Sequence, residues 1–348
     1  MTTTTTFSRD VLALDAPAAI ERVTGAITRA LTRDLRRRGI VVGVSGGIDS
    51  SVCLALATEA VGPDRVVALL MPEADSDPDS QRRGQVLCDH LGVEAVVEDI
   101  APALTALGCY DRRDTAIRRV FPDFGPGWRQ KITLAEGLLD TDRVSYFNLT
   151  VADPDGNQQT ARMPTDVYLM VVAATNMKQR TRKLIEYTHA DARNHAVVGT
   201  PNRLEYELGF FVRGGDGLAD IKPISHLYKT QVYALARHLD LPEEICAQTP
   251  STDTYSLPQT QEEFYFALPY AEMDLMLWAW HHDISTFEAA EVMGLRSDQV
   301  ERVYRDIVAK RRAAHRGLRD AIPVEHIALD AGANGSGSGG SGAPGGGA

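Results

Sequence analysis

The sequence predicts an α/β fold, a doubly wound parallel sheet with helices on both faces and an inserted subdomain. Three observations predict it. Short β-branched runs alternate with stretches of helical period. A glycine-rich turn leads straight from one such run into a helix. One segment, residues 109–165, breaks the alternation. In chain order, Pro17 to about Arg38 is helical, because Ile20, Val23, Ile27 and Leu31 recur at helical spacing. Pro17 suits a first turn, where its missing N–H costs nothing. Ile40-Val41-Val42-Gly43-Val44 reads as a buried strand, and Ser51 to Val61 as the helix after it. Val66–Leu70 is a second strand, Ser80–Leu91 a helix, and Glu94–Glu98 contains a third short strand. A helix near Asp166–Ala192 precedes a fourth strand, Ala196–Thr200. The β-α-β-α-β rhythm implies parallel pairing, since parallel neighbours need a crossover connection.

The 109–165 segment is rich in arginine and aromatics: Tyr110, Arg112, Arg113, Arg118, Arg119, Phe121, Phe124, Trp128 and Arg129. Asp155-Gly156 lies between Val144–Val151 and Gln158–Met163, which is a hairpin signal. Residues 284–320 form a C-terminal helical segment. Residues 331–348, AGANGSGSGGSGAPGGGA, are a low-complexity tail with nothing to bury. The expected organisation is one domain over 1–330, with the insert and the C-terminal helices as parts of it.

Composition narrows the function classes. The 348 residues are 44% apolar, enough for a full core. A net charge of −11 argues against generic nucleic-acid binding. Cys53, Cys88, Cys109 and Cys246 are far apart and form no CxxC pair, which fits a reducing cytoplasm. The N-terminus has no signal-peptide pattern, and no apolar run approaches the roughly 18 residues of a membrane helix.

Ser45-Gly46-Gly47-Ile48-Asp49-Ser50 is the strongest local signal, because it stands between a strand and a helix. Its glycines permit close backbone approach to a ligand. The helix N-terminus adds open N–H groups and a positive dipole end. Ser45, Ser50 and Ser51 add hydroxyls, and the whole suits a pyrophosphate. Asp49 alone would repel phosphate, so its sensible role is to hold Mg²⁺ against it. The loop is neither GxxxxGK[ST] nor GxGxxG, so neither γ-phosphoryl transfer nor a Rossmann dinucleotide site is implied. It resembles the PP-loop of the N-type ATP pyrophosphatases, whose fold is adenine nucleotide alpha hydrolase-like.

Further motifs follow in order. Asn176-Met177-Lys178-Gln179-Arg180-Thr181-Arg182 lies in a helix, where Arg180 and Lys178 suit a phosphate or carboxylate clamp. Val197-Val198-Gly199-Thr200-Pro201-Asn202-Arg203-Leu204-Glu205 leaves a strand, and Glu205 is a natural second Mg²⁺ ligand. Gly209 to Asp220 is a glycine-rich loop with two carboxylates; Leu227–Val232 and Pro250-Ser251-Thr252-Asp253 follow. In this order they resemble the ammonia-dependent NAD synthetases over roughly residues 18–107 and 166–280. That resemblance implies that Ser45, Gly46, Gly47, Asp49, Ser50, Met71, Thr200 and Lys229 bind ATP, and that Asp49 and Glu205 hold Mg²⁺. It implies Asn176, Arg180, Asp216 and Asp220 at the dinucleotide. Ser251 and Asp253 belong to a closing loop, and with Asp49 and Lys229 form the catalytic set. It also implies a homodimer with active sites near the subunit interface. The chain departs from the family pattern at Val212-Arg213, where Thr-Lys is usual, at Gln248, where Lys is usual, and in carrying the 109–165 insert.

The implied reaction has two steps. A substrate carboxylate attacks the α-phosphorus of ATP and pyrophosphate leaves; ammonia then attacks the acyl carbon and AMP leaves. Neither step needs a protein nucleophile. The chain leaves no room for a nitrilase-like glutaminase domain, so ammonia arrives free or from a separate glutaminase partner. The favoured acceptor is nicotinic acid adenine dinucleotide. One rival is another carboxylate, accepted in a pocket rebuilt by the insert's arginines and aromatics. A second is a DNA-binding module over 284–319, where eight Lys/Arg fall between Arg296 and Arg319. A third is an inactive ATP sensor, against which Asp49 and Glu205 argue. His281-His282 reads as a helix-end surface pair and not as a metal site.

Overall fold

The computed structural model describes residues 6–134, 147–248, 255–257, 265 and 268–325. Four parallel strands form the central sheet in the order β3-β2-β1-β7: β1 (Gly39–Gly43), β2 (Val66–Leu70), β3 (Glu94–Val97) and β7 (His195–Val198). Ile40 pairs with Val66 on one side and Ala196 on the other. Alternation along the strands sends their side chains to two cores. Ile40, Val42, Val66, Ala68 and Val198 meet α1 (Ala16–Arg29), α2 (Ile48–Val61), α3 (Pro78–Leu91) and α8 (Lys229–His238). Val41, Val67, Leu69 and Val197 meet α4 (Ala101–Ala106), α5 (Cys109–Arg118) and α6 (Thr165–Arg193). The sheet is therefore covered on both faces, as the alternation predicts. Each fully buried Val, Leu or Ile contributes about 1.5–3 kcal/mol against exposure.

The chain runs outward from β1 to β2 to β3 and then returns to β1's other side at β7. The winding direction reverses at β1. The crevice beyond the C-terminal ends of β1 and β7 is thus the ligand-binding position of such sheets.

Helix α1 starts where Asp15 accepts a hydrogen bond from the Ala18 N–H at 3.1 Å, with Pro17 in the first turn. It runs on through a wider turn, Ala30–Asp34, and ends short of the expected Arg38. The insert holds more structure than its hairpin signal. β5 (Phe147–Ala152) and β6 (Gln158–Arg162) form the hairpin across Gly156 (φ +89°). A further strand, β4 (Arg129–Leu134), pairs antiparallel with β5. The expected start of the hairpin at Val144–Tyr146 lies outside the described residues.

At the C-terminal end, helices Tyr270–His281, Thr286–Met293 and Ser297–Leu318 bury Met273, Trp278, Met293, Val300 and Val303 against α7 (Arg203–Leu208). The helix–turn–helix pattern is real, with Gly294 as left-handed cap, but it packs inward on α7. Its basic run is largely paired: Arg302 with Asp298, Lys310 with Asp306 and Arg311 with Glu207. Residues 1–318 form one compact unit; Arg319–Ala348 form a second, whose described part, 319–325, has no helix or strand. The tail at 331–348 lies outside the described residues.

Candidate active site

Between β1 and α2 the chain passes through Ser45–Gly47 in a conformation that only glycine holds at one point. Gly46 has φ +76°, and a Cβ there would lie 2.6 Å from the Ser80 carbonyl oxygen. Gly47 is the N-cap of α2 without a capping side chain, so the first-turn N–H groups stay open to an anion. The serines are arranged differently from the sequence expectation. Ser51 is buried and donates to the Gly47 carbonyl at 2.8 Å, and Ser50 donates to the same oxygen at 3.0 Å. Both hydroxyls brace the turn, as do the Ser45 and Gly47 N–H groups, which donate to the Ser50 and Ser45 hydroxyls at 3.3 Å; the first-turn N–H groups of α2 remain as its anion donors.

Asp49, in the first turn of α2, pairs with the Lys229 ammonium and accepts from the Asn202 amide at 3.3 Å. Lys229 begins α8 and is almost fully buried. Burial pulls its pKa down, but Asp49 and Glu205 outweigh it and hold it above its ordinary value. Asp274, from helix Tyr270–His281, accepts the backbone N–H of Lys229 at 3.2 Å and of Thr230 at 2.8 Å. A buried carboxylate thus caps α8 at the residue whose ammonium pairs with Asp49. Burial raises the Asp274 pKa to about 6.

Glu205 is the N3 residue of a capping box on α7, exchanging hydrogen bonds with Asn202 at 3.1 and 3.2 Å. Burial, and then the Asp49 carboxylate, push its pKa up to about 8, against the pull of Lys229. The buried Glu205 and the partly buried Asp49, in each other's field and sharing one lysine, have too little positive charge around them. That donor set of hard oxygens fits a divalent cation such as Mg²⁺, which keeps waters and takes phosphate oxygens as further ligands. Among the described residues no group of three or more His, Cys, Asp or Glu could hold a metal, so Asp49 and Glu205 would need ligands from substrate or water.

The long helix α6 supplies the opposite wall. Tyr168, Val172, Thr175, Asn176, Gln179, Arg182, Lys183 and Glu186 line the cavity at helical spacing. Lys183 donates to Glu186 at 2.5 Å, and burial raises the Glu186 pKa. Glu186 lies against the end of β1, where a Cβ on Gly43 would approach its Oε1 to 2.8 Å. Asp216, its pKa also raised by burial, accepts from the Val212 N–H at 2.7 Å and closes the 209–216 turn.

One cavity of about 450 Å³ collects Ser45, Gly46, Gly47, Asp49, Ser50, Met71, Asn176, Thr200, Glu205, Asp216 and Lys229. The expected Arg180 and Asp220 do not line it. Arg180 is exposed and donates to the Arg213 carbonyl at 3.2 Å; Asp220 accepts from the Val197 N–H at 2.8 Å. Ser251 and Asp253 lie outside the described residues. Lys178 is not a clamp on ligand. It sits on the core side of α6, fully buried, and donates to Glu73 at 2.9 Å and Asp75 at 2.6 Å. Arg113 pairs with Asp75, and the Tyr110 hydroxyl donates to Glu73 at 2.8 Å. This network pins the loop after β2, which carries Met71 and Asp77 into the cavity wall, to α5 and α6.

Sequence reasoning missed Arg83, Lys183, Glu186, Tyr233, Phe147, Tyr168 and Tyr255 in the lining. Arg83 pairs with Asp77 at 2.7 Å, and its spacing from the loop offered no signal. Lys183 and Glu186 follow the NMKQRTR motif at i, i+3 on its cavity face, a periodicity that was legible. Of the His281-His282 pair, His281 is half-buried and meets Glu207 at 2.7 Å, while His282 is exposed and stacks on Trp278 at 3.7 Å.

Comparison with known proteins bears on this geometry. The family model described as NAD synthase matches residues 19–118 and 130–315. An NH(3)-dependent NAD(+) synthetase of Rhizobium meliloti (strain 1021) is 56% identical over 324 residues, 92% of this chain and 96% of that protein. One of Thermotoga maritima is 38% identical over 240 residues, 69% of this chain and 79% of that protein. Among solved structures, the NH3-dependent NAD synthetase from Campylobacter jejuni in complex with the nitrate ion has a TM-score of 0.57 at 20% identity, over 90% of this chain and 100% of that one. NMN synthetase from Francisella tularensis has a TM-score of 0.59 at 22% identity, over 89% of this chain and 98% of that one. Both show the same fold. The Rhizobium alignment leaves too little of this chain outside it to omit residues 109–165. The insert is therefore shared with an ammonia-dependent synthetase, and does not by itself signal a different acceptor.

Proposed function

Because the chain belongs to the NAD synthase family, we infer that it is a C–N ligase that amidates nicotinic acid adenine dinucleotide to NAD with ammonia and ATP. The observation that carries the chemistry is the pairing of the buried Lys229 with Asp49, beside the buried Glu205, at the open N-terminus of α2. The α2 N–H groups bind phosphate oxygens, with Ser45, Met71 and Thr200 on the same wall. Lys229 stabilises charge as the substrate carboxylate attacks the α-phosphorus and the bond to pyrophosphate breaks. Mg²⁺, held by Asp49 and Glu205, would supply further neutralisation of the phosphates. Ammonia then adds to the acyl carbon, loses a proton, and AMP departs with the bonding pair. Asn176 and Asp216 line the cavity as acceptor contacts, and Ser251 and Asp253 keep the role of a closing loop.

Steady-state kinetics test this reading. With nicotinic acid adenine dinucleotide, ATP, Mg²⁺ and ammonium, kcat/KM for the acceptor should fall in the ordinary range of about 10⁴–10⁸ M⁻¹s⁻¹. Glutamine should not replace ammonium. A value many decades lower, or turnover driven by glutamine alone, would remove it.

We place the enzyme in the cytoplasm on its four free cysteines. No helix among the described residues is long and apolar enough to cross a membrane. We also propose a homodimer. Leu169 and Leu184 are 59% and 66% exposed on α6, on the face that carries Arg180. Burying that face between two copies would remove the exposed leucines from water and bring Arg180 to the interface. Light scattering should return the dimer mass at micromolar concentration, and a concentration-independent monomer mass would rule the dimer out.

A further inference from the structure

The insert reaches the cavity, but not through the residues that its composition advertises. Phe124 and Trp128 pack edge to face at 5.9 Å, with Phe124 in the insert's own core. Arg113 is locked to Asp75, Arg119 pairs with Asp166 at 2.5 Å, and Arg112, Arg118 and Arg129 are exposed. None of them lines the cavity. Among the described residues seven aromatic rings line it, and three of them belong to the insert's core cluster: Phe147, Tyr168 and Tyr255. Phe147 begins β5 and stacks on Tyr168 of α6, centroids 4.3 Å apart and planes within 10°. Tyr255 is buried in the core formed by Ile132, Leu149 and Val151 of the insert, yet also faces the cavity. Its position is held by β4, where the Gln130 N–H donates to the Ser256 hydroxyl at 2.9 Å and the Leu257 N–H to the Gln130 carbonyl at 3.0 Å. Two strands of the insert thus each deliver one ring to the same cavity.

We propose that Phe147, Tyr168 and Tyr255 form an acceptor-specificity wall on which a planar heteroaromatic ring of the dinucleotide packs. The proposal rests on the NAD-forming reading and deepens it. Position separates this wall from the ATP side. The phosphate loop and the β2 end, with Met71, Asp77 and Arg83, make one end of the cavity. Glu186 of α6 abuts that sheet edge at Gly43. Tyr168 lies eighteen residues earlier on the same helix, about 27 Å along its axis by helical rise. ATP seated on the loop does not need that far end, whereas a dinucleotide carries a second ring to place. Flat aromatic faces suit such a ring because stacking is insensitive to its hydrogen-bonding pattern.

The test uses the full chain and measures KM for the dinucleotide and for ATP separately, with kcat. Phe147→Leu keeps apolar volume and loses the ring; it should raise the acceptor KM about ten-fold with ATP KM and kcat little changed. Phe147→Trp should restore the acceptor KM. Tyr168→Leu, outside the insert, provides a second variant with the same expected split. An unchanged acceptor KM in both leucine variants, or a rise confined to ATP, would overturn the wall. Absence of turnover in the wild-type chain would overturn the NAD-forming reading, and the wall with it. Melting temperatures of all variants separate lost folding from lost recognition.

Discussion

Replacing Asp49 with asparagine should lower kcat/KM for NAD formation by about a thousand-fold, the several kcal/mol expected on losing the metal ligand that we propose Asp49 to be. The fold should survive. Asparagine keeps the side-chain volume and an acceptor for the Asn202 amide. Lys229 keeps Glu205 as counter-charge, since both carboxylates raise its pKa. Glu205→Gln should show the same loss of pyrophosphate release for the same reason. The measurement is pyrophosphate release at saturating ATP, with circular dichroism as the folding control. Near-normal turnover in both variants would remove the two carboxylates from the metal role.

Lys229→Met should damage both activity and stability. In the proposed reaction this removes the charge that stabilises the phosphates, at a cost of about 10²–10³-fold in kcat. Asp49 and Glu205 are left facing each other in a buried site, and breaking a buried pair on one side costs about 3–5 kcal/mol. The pH dependence has a definite sign. Glu205 already has its pKa raised to about 8 in the folded chain, with Lys229 pulling it down. Removing Lys229 raises it further. A carboxyl whose folded pKa lies above its unfolded value destabilises the fold as pH climbs from the unfolded value, near 4.5, through the folded one. The variant should therefore lose more melting temperature relative to wild type at pH 9 than at pH 6. Equal losses at the two pH values would mean that Glu205 does not feel Lys229.

The phosphate loop was legible because its information is local. Six residues between a β-branched run and a helix determine the turn, and Gly46 at φ +76° confirms the reason for a glycine there. The strands β1, β2 and β7 were legible for a related reason, since a strand buried on both faces reads as a short apolar run. β4 was not, because four of the six residues of Arg129–Leu134 are polar and the segment becomes a strand only by pairing with β5. The roles of the serines also escaped the sequence, which lists three hydroxyls and does not say that Ser50 and Ser51 both turn back to the Gly47 carbonyl.

The sequence by itself determined the parallel sheet wound on both faces and the glycine turn that leads into α2, which follow from periodicity and from backbone freedom within a few residues. Glu205, 156 residues beyond Asp49, was expected beside that turn only through the family resemblance. The tertiary structure alone decided which side of α6 meets ligand. Asn176 and Lys178 stand two positions apart in one motif, yet one lines the cavity and the other is buried against Glu73 and Asp75. It alone joined Lys229 to Asp49 across 180 residues and set Asp274 beneath the start of α8. Such partnerships depend on burial. A charge taken out of water must find its counter-charge wherever the packed elements place one, and chain separation carries no trace of that pairing.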